Sequence, residues 1–139
     1  MKLVTVFLIR FILDWLSPTA SEQQIFNLIN AYRVKNGKPA LTYSDSLSRV
    51  AKTHAVDLYD HFSYNDKSCN LHSWSKSAKW TGGCIQDNSP KEIWEIMWSK
   101  PQEIAGINKP GFEISSMYDP KNTESNPDEV VNGWIQSPG

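Results

Sequence analysis

Two amphipathic helical segments, separated by a glycine and a proline, constrain the fold of this chain more than any other feature. We expect the first helix to begin at Ser21, with Gln24 three residues later as its capping-box partner. Gly37 ends it, because glycine tolerates a left-handed cap, and Pro39 prevents continuation. The second helix begins at Ser44 or Asp45. Helical spacing predicts the buried faces: Ile25, Leu28, Ile29 and Tyr32 in the first, and Leu47, Val50, Ala51, His54, Ala55 and Leu58 in the second.

A capping residue followed by proline and an acid marks two further helix starts. Ser89-Pro90-Lys91-Glu92 predicts a third helix, which Pro101 stops. Asn126-Pro127-Asp128-Glu129 predicts a last helix. The long stretch from 61 to 88 has no periodicity and is predicted to be a loop, and loops of that length in compact domains are usually functional.

Residues 111–118 alternate as a strand does, with Phe112 and Ile114 on one side and Glu113 on the other. A single strand is not stable by itself, because its backbone groups need hydrogen-bond partners. Either its partner strands are missing from the chain, or it pairs with a segment that lacks periodicity.

Length and charge restrict the number of domains and the kinds of partner that this chain can have. The 139 residues suffice for one domain and are too few for two. With 14 basic and 15 acidic side chains the formal net charge is -1, so the basic excess typical of nucleic-acid-binding proteins is absent. We expect no nucleic-acid partner.

The first 20 residues differ in composition from the rest. Lys2 precedes an apolar stretch, and small residues lead up to Ala20, a pattern typical of a secretory signal peptide. Arg10 and Asp14 interrupt the apolar run, so an N-terminal helix packed on the domain is the alternative. The stretch is too short and too charged for a stable membrane span. We therefore predict a signal peptide over 1–20, a domain over 21–139, and a secreted, extracellular or periplasmic location.

The two cysteines of the chain are consistent with export of the protein. A disulfide between Cys69 and Cys84 would close a short loop and stabilise the fold by about 3 kcal/mol in the chain-entropy model. The alternative is a redox or metal-binding pair, but the chain has no Cys-x-x-Cys spacing. In an exported protein we expect the disulfide.

Several short motifs, in order along the chain, resemble one family. They are Ile29-Asn30-Ala31-Tyr32-Arg33 with Gly37, Leu41, Leu47, Ala51, His54-Ala55 and Leu58; then His72-Ser73; then Gly111-Phe112-Glu113; and Trp134-Ile135-Gln136-Ser137-Pro138-Gly139. Together they resemble the cysteine-rich secretory, antigen 5 and pathogenesis-related (CAP, or SCP-like) family in its bacterial type. Relative to the family, the histidine after Gly139 and the closing strands are missing, so we expect a domain incomplete at its C-terminus.

The resemblance implies an α+β fold, an α-β-α sandwich with a central, mainly antiparallel sheet. It also implies a cleft in which two histidines and two acids bind a divalent metal such as zinc in some members. His72 and Glu113 are the two residues of this chain that match the cleft motifs, as ligands of a bound molecule or of a metal. The alternative is a structural hydrogen bond between them.

Other candidate residues have structural explanations that we favour. His54, on the apolar face of its helix, is predicted to be a satisfied core histidine. His61 and Asp57, one helical turn apart, are predicted to form an ion pair. Four tryptophans could form a sugar- or lipid-stacking surface, but we expect them mainly in the core: Trp74, Trp80, Trp94 and Trp98.

Three functions are compatible with these residues. We favour a binding module that holds a small molecule, a lipid, a cell-wall component or a protein in the cleft around His72 and Glu113. The second is a metal-assisted hydrolase or peptidase using the same cleft, and the third is an interaction domain with a vestigial cleft. No serine lies in a nucleophile elbow and no His-Glu-x-x-His motif occurs, so we assign no catalytic residue.

Overall fold

The computed structural model describes residues 17–62, 68–116 and 126–137. Within these ranges the regular structure consists of helices and one isolated antiparallel bridge, between Trp74 and Gly83. The helices are α1 (Ala20–Lys35), α2 (Asp45–His61), α3 (Lys91–Trp98), α4 (Lys100–Ala105) and α5 (Pro127–Gln136).

Helix α1 begins one residue earlier than predicted and uses another capping box. The Thr19 hydroxyl accepts a hydrogen bond from the Glu22 N–H at 3.2 Å, and the Glu22 carboxylate accepts one from the Thr19 N–H at 2.6 Å. The pair Ser21 and Gln24 was therefore the wrong assignment, although both pairs have the same spacing.

The prediction that the third helix stops before Pro101 is confirmed, since α3 ends at Trp98. Pro101 lies in the first turn of α4, where its missing N–H leaves no helical bond unmade. The N-cap of α3 is Pro90, which has no side-chain cap hydrogen bond. The predicted cap, Ser89, does not serve because its hydroxyl accepts a hydrogen bond from the Gln86 N–H at 2.8 Å. The predicted start of the last helix is confirmed, since the Asn126 side chain accepts from the Asp128 N–H at 3.0 Å.

The described residues divide into two compact units, one within 1–45 and 118–139 and the other within 46–117. In the first unit α1 packs against α5, and Gln24 donates a hydrogen bond to Asp128 at 3.2 Å. The Asn30 amide exchanges two hydrogen bonds with the backbone of Leu41, at 2.7 and 3.1 Å. Asn30 therefore fixes the link that follows α1 against the helix.

The second unit has a small apolar core crossed by buried polar groups. Its buried apolar side chains are Trp74, Ile85 and Met97. Its buried polar side chains, all hydrogen-bonded, are His54, Asp57, Ser73 and Lys100. Buried polar groups need partners, and here the partners belong mostly to the segment 68–88 and to Glu103 and Glu113.

The irregular segment 68–88 is held by a disulfide and by hydrogen bonds, as expected for a loop of this kind. The predicted disulfide between Cys69 and Cys84 is confirmed. Inside it, Trp74 and Gly83 exchange backbone hydrogen bonds of 2.8 and 3.1 Å, and the Ser73 hydroxyl bonds both the N–H and the carbonyl of Ile85. The two arms of the loop are thus fixed to each other.

The predicted α-β-α sandwich with a central antiparallel sheet is wrong for the part of the chain that the structure describes. Exposure alternates along 111–116, as the sequence predicted, but these residues join no ladder. The physical reason is that no strand among the described residues offers them backbone partners. The continuation of the alternating segment through 117 and 118 lies outside the described residues.

Two other predictions fall on residues that are not described. Most of the signal-peptide segment, 1–16, and the last two residues, 138 and 139, are among them. Among the described helices, none combines the length and the apolar character needed to cross a membrane.

The bridge in the disulfide loop can be tested at Gly82. A Cβ atom on Gly82 would lie 2.2 Å from the Ser75 carbonyl oxygen, a backbone atom that cannot rotate away. We expect Gly82→Ala to lower the free energy of unfolding by about 1–3 kcal/mol, as overpacking does. Chemical denaturation measures this change.

Gly133→Ala is the matched control, because nothing lies within 4 Å of its added Cβ in α5. Alanine should stabilise that helix by up to about 1 kcal/mol. Equal effects of the two substitutions would contradict the close approach at Gly82.

Candidate functional site

Helix α2 places His54 at the centre of the candidate site. The side chain faces inward from the apolar face of the helix and is only 2% exposed. Its Nε2 lies 3.0 Å from the Ser73 carbonyl oxygen, and its Nδ1 contacts Oε1 of Glu113. His54 is the satisfied buried histidine that the sequence predicted, and it also contacts the predicted site carboxylate.

The disulfide loop supplies the second histidine. His72 Nδ1 lies 2.9 Å from Oε2 of Glu113, and the Ser115 hydroxyl is 3.5 Å from the same nitrogen. The backbone N–H of His72 donates to the Asn70 side chain at 3.0 Å. The structure thus brings His72 and Glu113 together and adds His54, so that two imidazoles meet one carboxylate. We call these three residues the His–Glu–His cluster.

The acceptors around the two histidines determine which of their ring nitrogens donate hydrogen bonds. The Ser73 carbonyl can only accept, so Nε2 of His54 must donate to it. An ionised Glu113 can also only accept, so Nδ1 of His54 and Nδ1 of His72 must donate as well. Both ring nitrogens of His54 are therefore engaged, one by the Ser73 carbonyl and one by Glu113.

The Glu113 carboxyl is held in its ionised form. Burial by itself would raise the pKa of this group, but the hydrogen bonds from His54 and His72 and their charges outweigh burial. The net result is a pKa of Glu113 below its ordinary value.

Aromatic and cationic groups pack around His54. The Trp74 ring stacks on the imidazole with centroids 4.1 Å apart and planes 8° from parallel. Lys100 Nζ lies 5.2 Å from the Trp74 centroid and is bonded to the Thr81 carbonyl at 2.7 Å and to Glu103 at 2.6 Å. Burial lowers the pKa of Lys100, an effect that Glu103 opposes. Trp74 is buried, and Trp80, Trp94 and Trp98 are half-buried, as expected for core tryptophans.

An apolar groove of about 620 Å³ lies beside the cluster, within the second unit. Glu113 forms part of its wall, as do Trp74 and the start of α2. The other lining residues are Leu47, Val50, Ala51, Met97, Lys100, Pro101, Ile107, Lys109, Pro110, Gly111, Phe112 and Ile114. Its volume falls in the range of about 300–1,000 Å³ that is usual for small-molecule sites.

The cluster has the donor types that zinc prefers but not the spacing. Two ligand atoms bound to one tetrahedral zinc lie about 3.3 Å apart, given bonds of about 2.0 Å. His72 Nδ1 and Glu113 Oε2 are 2.9 Å apart, a hydrogen-bond distance. Among the described residues no group of three or more His, Cys, Asp and Glu side chains is arranged to hold a metal ion. In this arrangement the two imidazoles and the carboxylate are joined by hydrogen bonds.

The other candidate residues from the sequence form ion pairs or hydrogen bonds with neighbouring groups. His61 Nε2 lies 3.9 Å from Oδ1 of Asp57, consistent with the predicted ion pair. Asp57 accepts hydrogen bonds from both the N–H and the hydroxyl of Ser75. The Ser73 hydroxyl is engaged by Ile85 and so is not poised as a nucleophile.

Sequence reasoning missed the contribution of His54 to the site. The available signal was a lone titratable residue on an otherwise apolar helical face. Its partner, Glu113, lies 59 residues away in sequence, and no local pattern connects the two.

The fold and the cluster define a disulfide-linked, helix-rich domain with an interior histidine–carboxylate site beside an apolar groove. The sequence profile of the cysteine-rich secretory protein family (CAP) matches residues 26–139. The chain belongs to that family. No curated protein and no solved structure matched it significantly.

Substitution of Glu113 tests the cluster through the pH dependence of stability. A carboxyl whose pKa is lowered on folding contributes stability above its unfolded-state pKa and loses it as pH falls through the folded-state pKa. We expect Glu113→Gln to destabilise the protein at neutral pH and to weaken its acid sensitivity below the ordinary carboxyl range. Denaturation at a series of pH values gives both quantities.

Glu103→Gln is the control for this measurement. Glu103 also has a lowered pKa, because the hydrogen bonds from Lys100 and Thr81 outweigh its burial, but it does not contact the histidines. A Glu113→Gln protein with the acid sensitivity of the wild type would refute the charge pairing that we assign to the cluster.

Proposed function

We propose that this chain is an extracellular, non-catalytic binding domain whose groove holds the apolar part of an amphiphilic ligand such as a lipid. The observation that carries the proposal is the apolar groove beside the His–Glu–His cluster. The disulfide supports the extracellular assignment, since such bonds persist in oxidising compartments.

The lining of the groove favours a lipid over a cell-wall glycan. Among the described residues that line it, Lys100, Lys109 and Glu113 carry charge and most of the others are apolar. A glycan needs many polar partners, whereas an acyl chain is bound by burial of apolar surface. Lys109 is exposed and lines the groove, so it suits an anionic head group.

Isothermal titration calorimetry with palmitate tests the proposal. Ala51 lines the groove and is exposed, so Ala51→Trp should fill the groove without disturbing the core. We expect the wild type to bind palmitate and Ala51→Trp to bind at least about tenfold more weakly, a loss of about 1.4 kcal/mol.

Ala55→Trp is the matched control. Ala55 is an exposed alanine one helical turn further along α2 and is not among the groove residues. Affinity for palmitate should be unchanged by Ala55→Trp. Absence of binding to the wild type, or equal binding by both variants, would contradict the proposal.

A divalent metal is the second candidate occupant, favoured by the donor types of the cluster, since imidazole nitrogen and carboxylate oxygen both suit zinc. His54, His72 and Glu113 would hold it, and Nδ1 of His72 and Oε2 of Glu113 would have to separate by about 0.4 Å to reach the spacing of zinc ligands. A metal must displace the shared protons, so its affinity should fall as pH falls.

Titration of zinc into the wild type and His72→Ala tests this second candidate. We expect zinc affinity to rise with pH and to be lost in His72→Ala, while Glu103→Gln retains it. Zinc binding that survives His72→Ala would assign the metal to other residues.

A further inference from the structure

Three cations lie at the end of α1 and in the link that follows it. They are Arg33, Lys35 and Lys38, and positions 23–44 contain no acidic residue. The whole chain has a formal net charge of -1, so this positive segment is a local feature. Lys35 and Lys38 are exposed, and within the described ranges neither forms an ion pair. We call residues 33–41 the basic corner.

The backbone of the basic corner is fixed although its residues are exposed. Every residue from 34 to 42 is exposed. Gly37 has a positive φ of 69°, and the Lys38 N–H donates to the Arg33 carbonyl at 2.9 Å. Arg33 Nε donates to the Pro39 carbonyl at 3.0 Å. The cations are therefore held on an ordered backbone, so binding through them loses less conformational entropy than binding through a disordered tail.

Apolar side chains are exposed among these cations. Val34 is 59% exposed and Leu41 is 48% exposed. The Asn30 side chain bonds the backbone of Leu41, so the link lies along the face of α1 that carries Asn30. Val34 is one helical turn beyond Asn30 on the same face. Val34 and the link therefore share one side of the helix.

We propose that the basic corner is a peripheral docking surface for an anionic lipid bilayer. The cations would contact the phosphate groups of anionic lipids, while Val34 and Leu41 would enter the boundary between head groups and acyl chains. The corner lies in the first unit, whereas the residues that line the groove lie in the second. The proposal is therefore independent of what the groove binds.

Charge and exposed apolar surface together favour a bilayer over other occupants. An apolar segment of the same chain would remove water from Lys35 and Lys38, which is unfavourable for charges without a partner. A soluble polyanion would pair with the lysines, but a hydrated polymer offers Val34 and Leu41 no apolar surface to bury against. An anionic bilayer supplies both the counter-charges and the apolar contact.

Co-sedimentation of the full chain with vesicles tests the proposal. We expect vesicles of equal parts phosphatidylcholine and phosphatidylglycerol to bind at least about tenfold more tightly than vesicles of phosphatidylcholine alone. Each cation near an anionic surface strengthens binding about fivefold, so Lys35→Glu combined with Lys38→Glu should weaken it at least about twentyfold. Binding should also fall as salt is added, because salt screens exposed charges.

Lys76→Glu combined with Lys79→Glu is the matched control for charge. These two lysines are also exposed and three residues apart, but they lie in the disulfide loop. The control changes the net charge by the same amount as the test variant. Its affinity for the anionic vesicles should stay within about threefold of the wild type, because charges outside the docking surface are screened.

Substitution of the apolar pair tests insertion into the bilayer. Val34→Ser combined with Leu41→Ser should weaken binding to the anionic vesicles about tenfold, since less apolar surface is buried. Val56→Ser combined with Tyr59→Ser, at exposed apolar positions of α2, should leave binding unchanged. Circular dichroism shows that each variant remains folded, and unchanged affinity for palmitate shows that the groove is unaffected.

Three results would overturn the proposal. The first is equal binding of the wild type to both kinds of vesicle, and the second is anionic-vesicle binding that survives the two lysine-to-glutamate substitutions at the corner. The third is binding of dextran sulfate as tight as that of vesicles, with both weakened by the glutamates and neither by the serines. That result would assign the corner to a soluble polyanion.

Discussion

The contact of one carboxylate with two imidazoles organises the second unit of this protein. Glu113 comes from an irregular segment, His54 from a helix and His72 from the disulfide loop, so three separate stretches of chain are tied at one point. A buried polar group is costly unless it is hydrogen-bonded, and here the carboxylate and the imidazoles supply each other's partners. Loss of Glu113 would leave the buried Nδ1 of His54 without this hydrogen-bond partner.

The long loop has a defined shape because polar groups, and not a sheet, hold it. Asp57 binds Ser75, Ser73 binds Ile85, and Lys100 binds the Thr81 carbonyl, all from buried or half-buried positions. Buried hydrogen bonds of this kind must all be made, since each unmade one costs about 1–3 kcal/mol. The disulfide between Cys69 and Cys84 restricts the same segment. The position of His72 is therefore restrained both by hydrogen bonds of the loop and by a covalent bond.

The sequence was sufficient for features whose causes are local. Helical spacing and capping residues predicted α1, α2 and α5 to within a residue or two, and cysteine spacing predicted the disulfide. Motif resemblance singled out His72 and Glu113, which the structure places 2.9 Å apart. The contact of His54 with Glu113 depends on how the intervening loop folds, and no periodicity encodes that path. Which of two equally spaced pairs caps α1 was likewise decided by the backbone at Thr19.

The sheet was predicted from the family resemblance, and only its one strand from an alternating pattern, which is real but says nothing about a partner. Period-two alternation specifies which side chains face inward, and residues 111–116 obey it. Pairing is a separate requirement that must be met by another stretch of backbone. In the described residues the inward side is satisfied by the histidines, while the backbone of Phe112, Glu113 and Ile114 forms no ladder. A segment can thus be fixed through its side chains alone, so alternation predicts which residues face inward but does not predict a sheet.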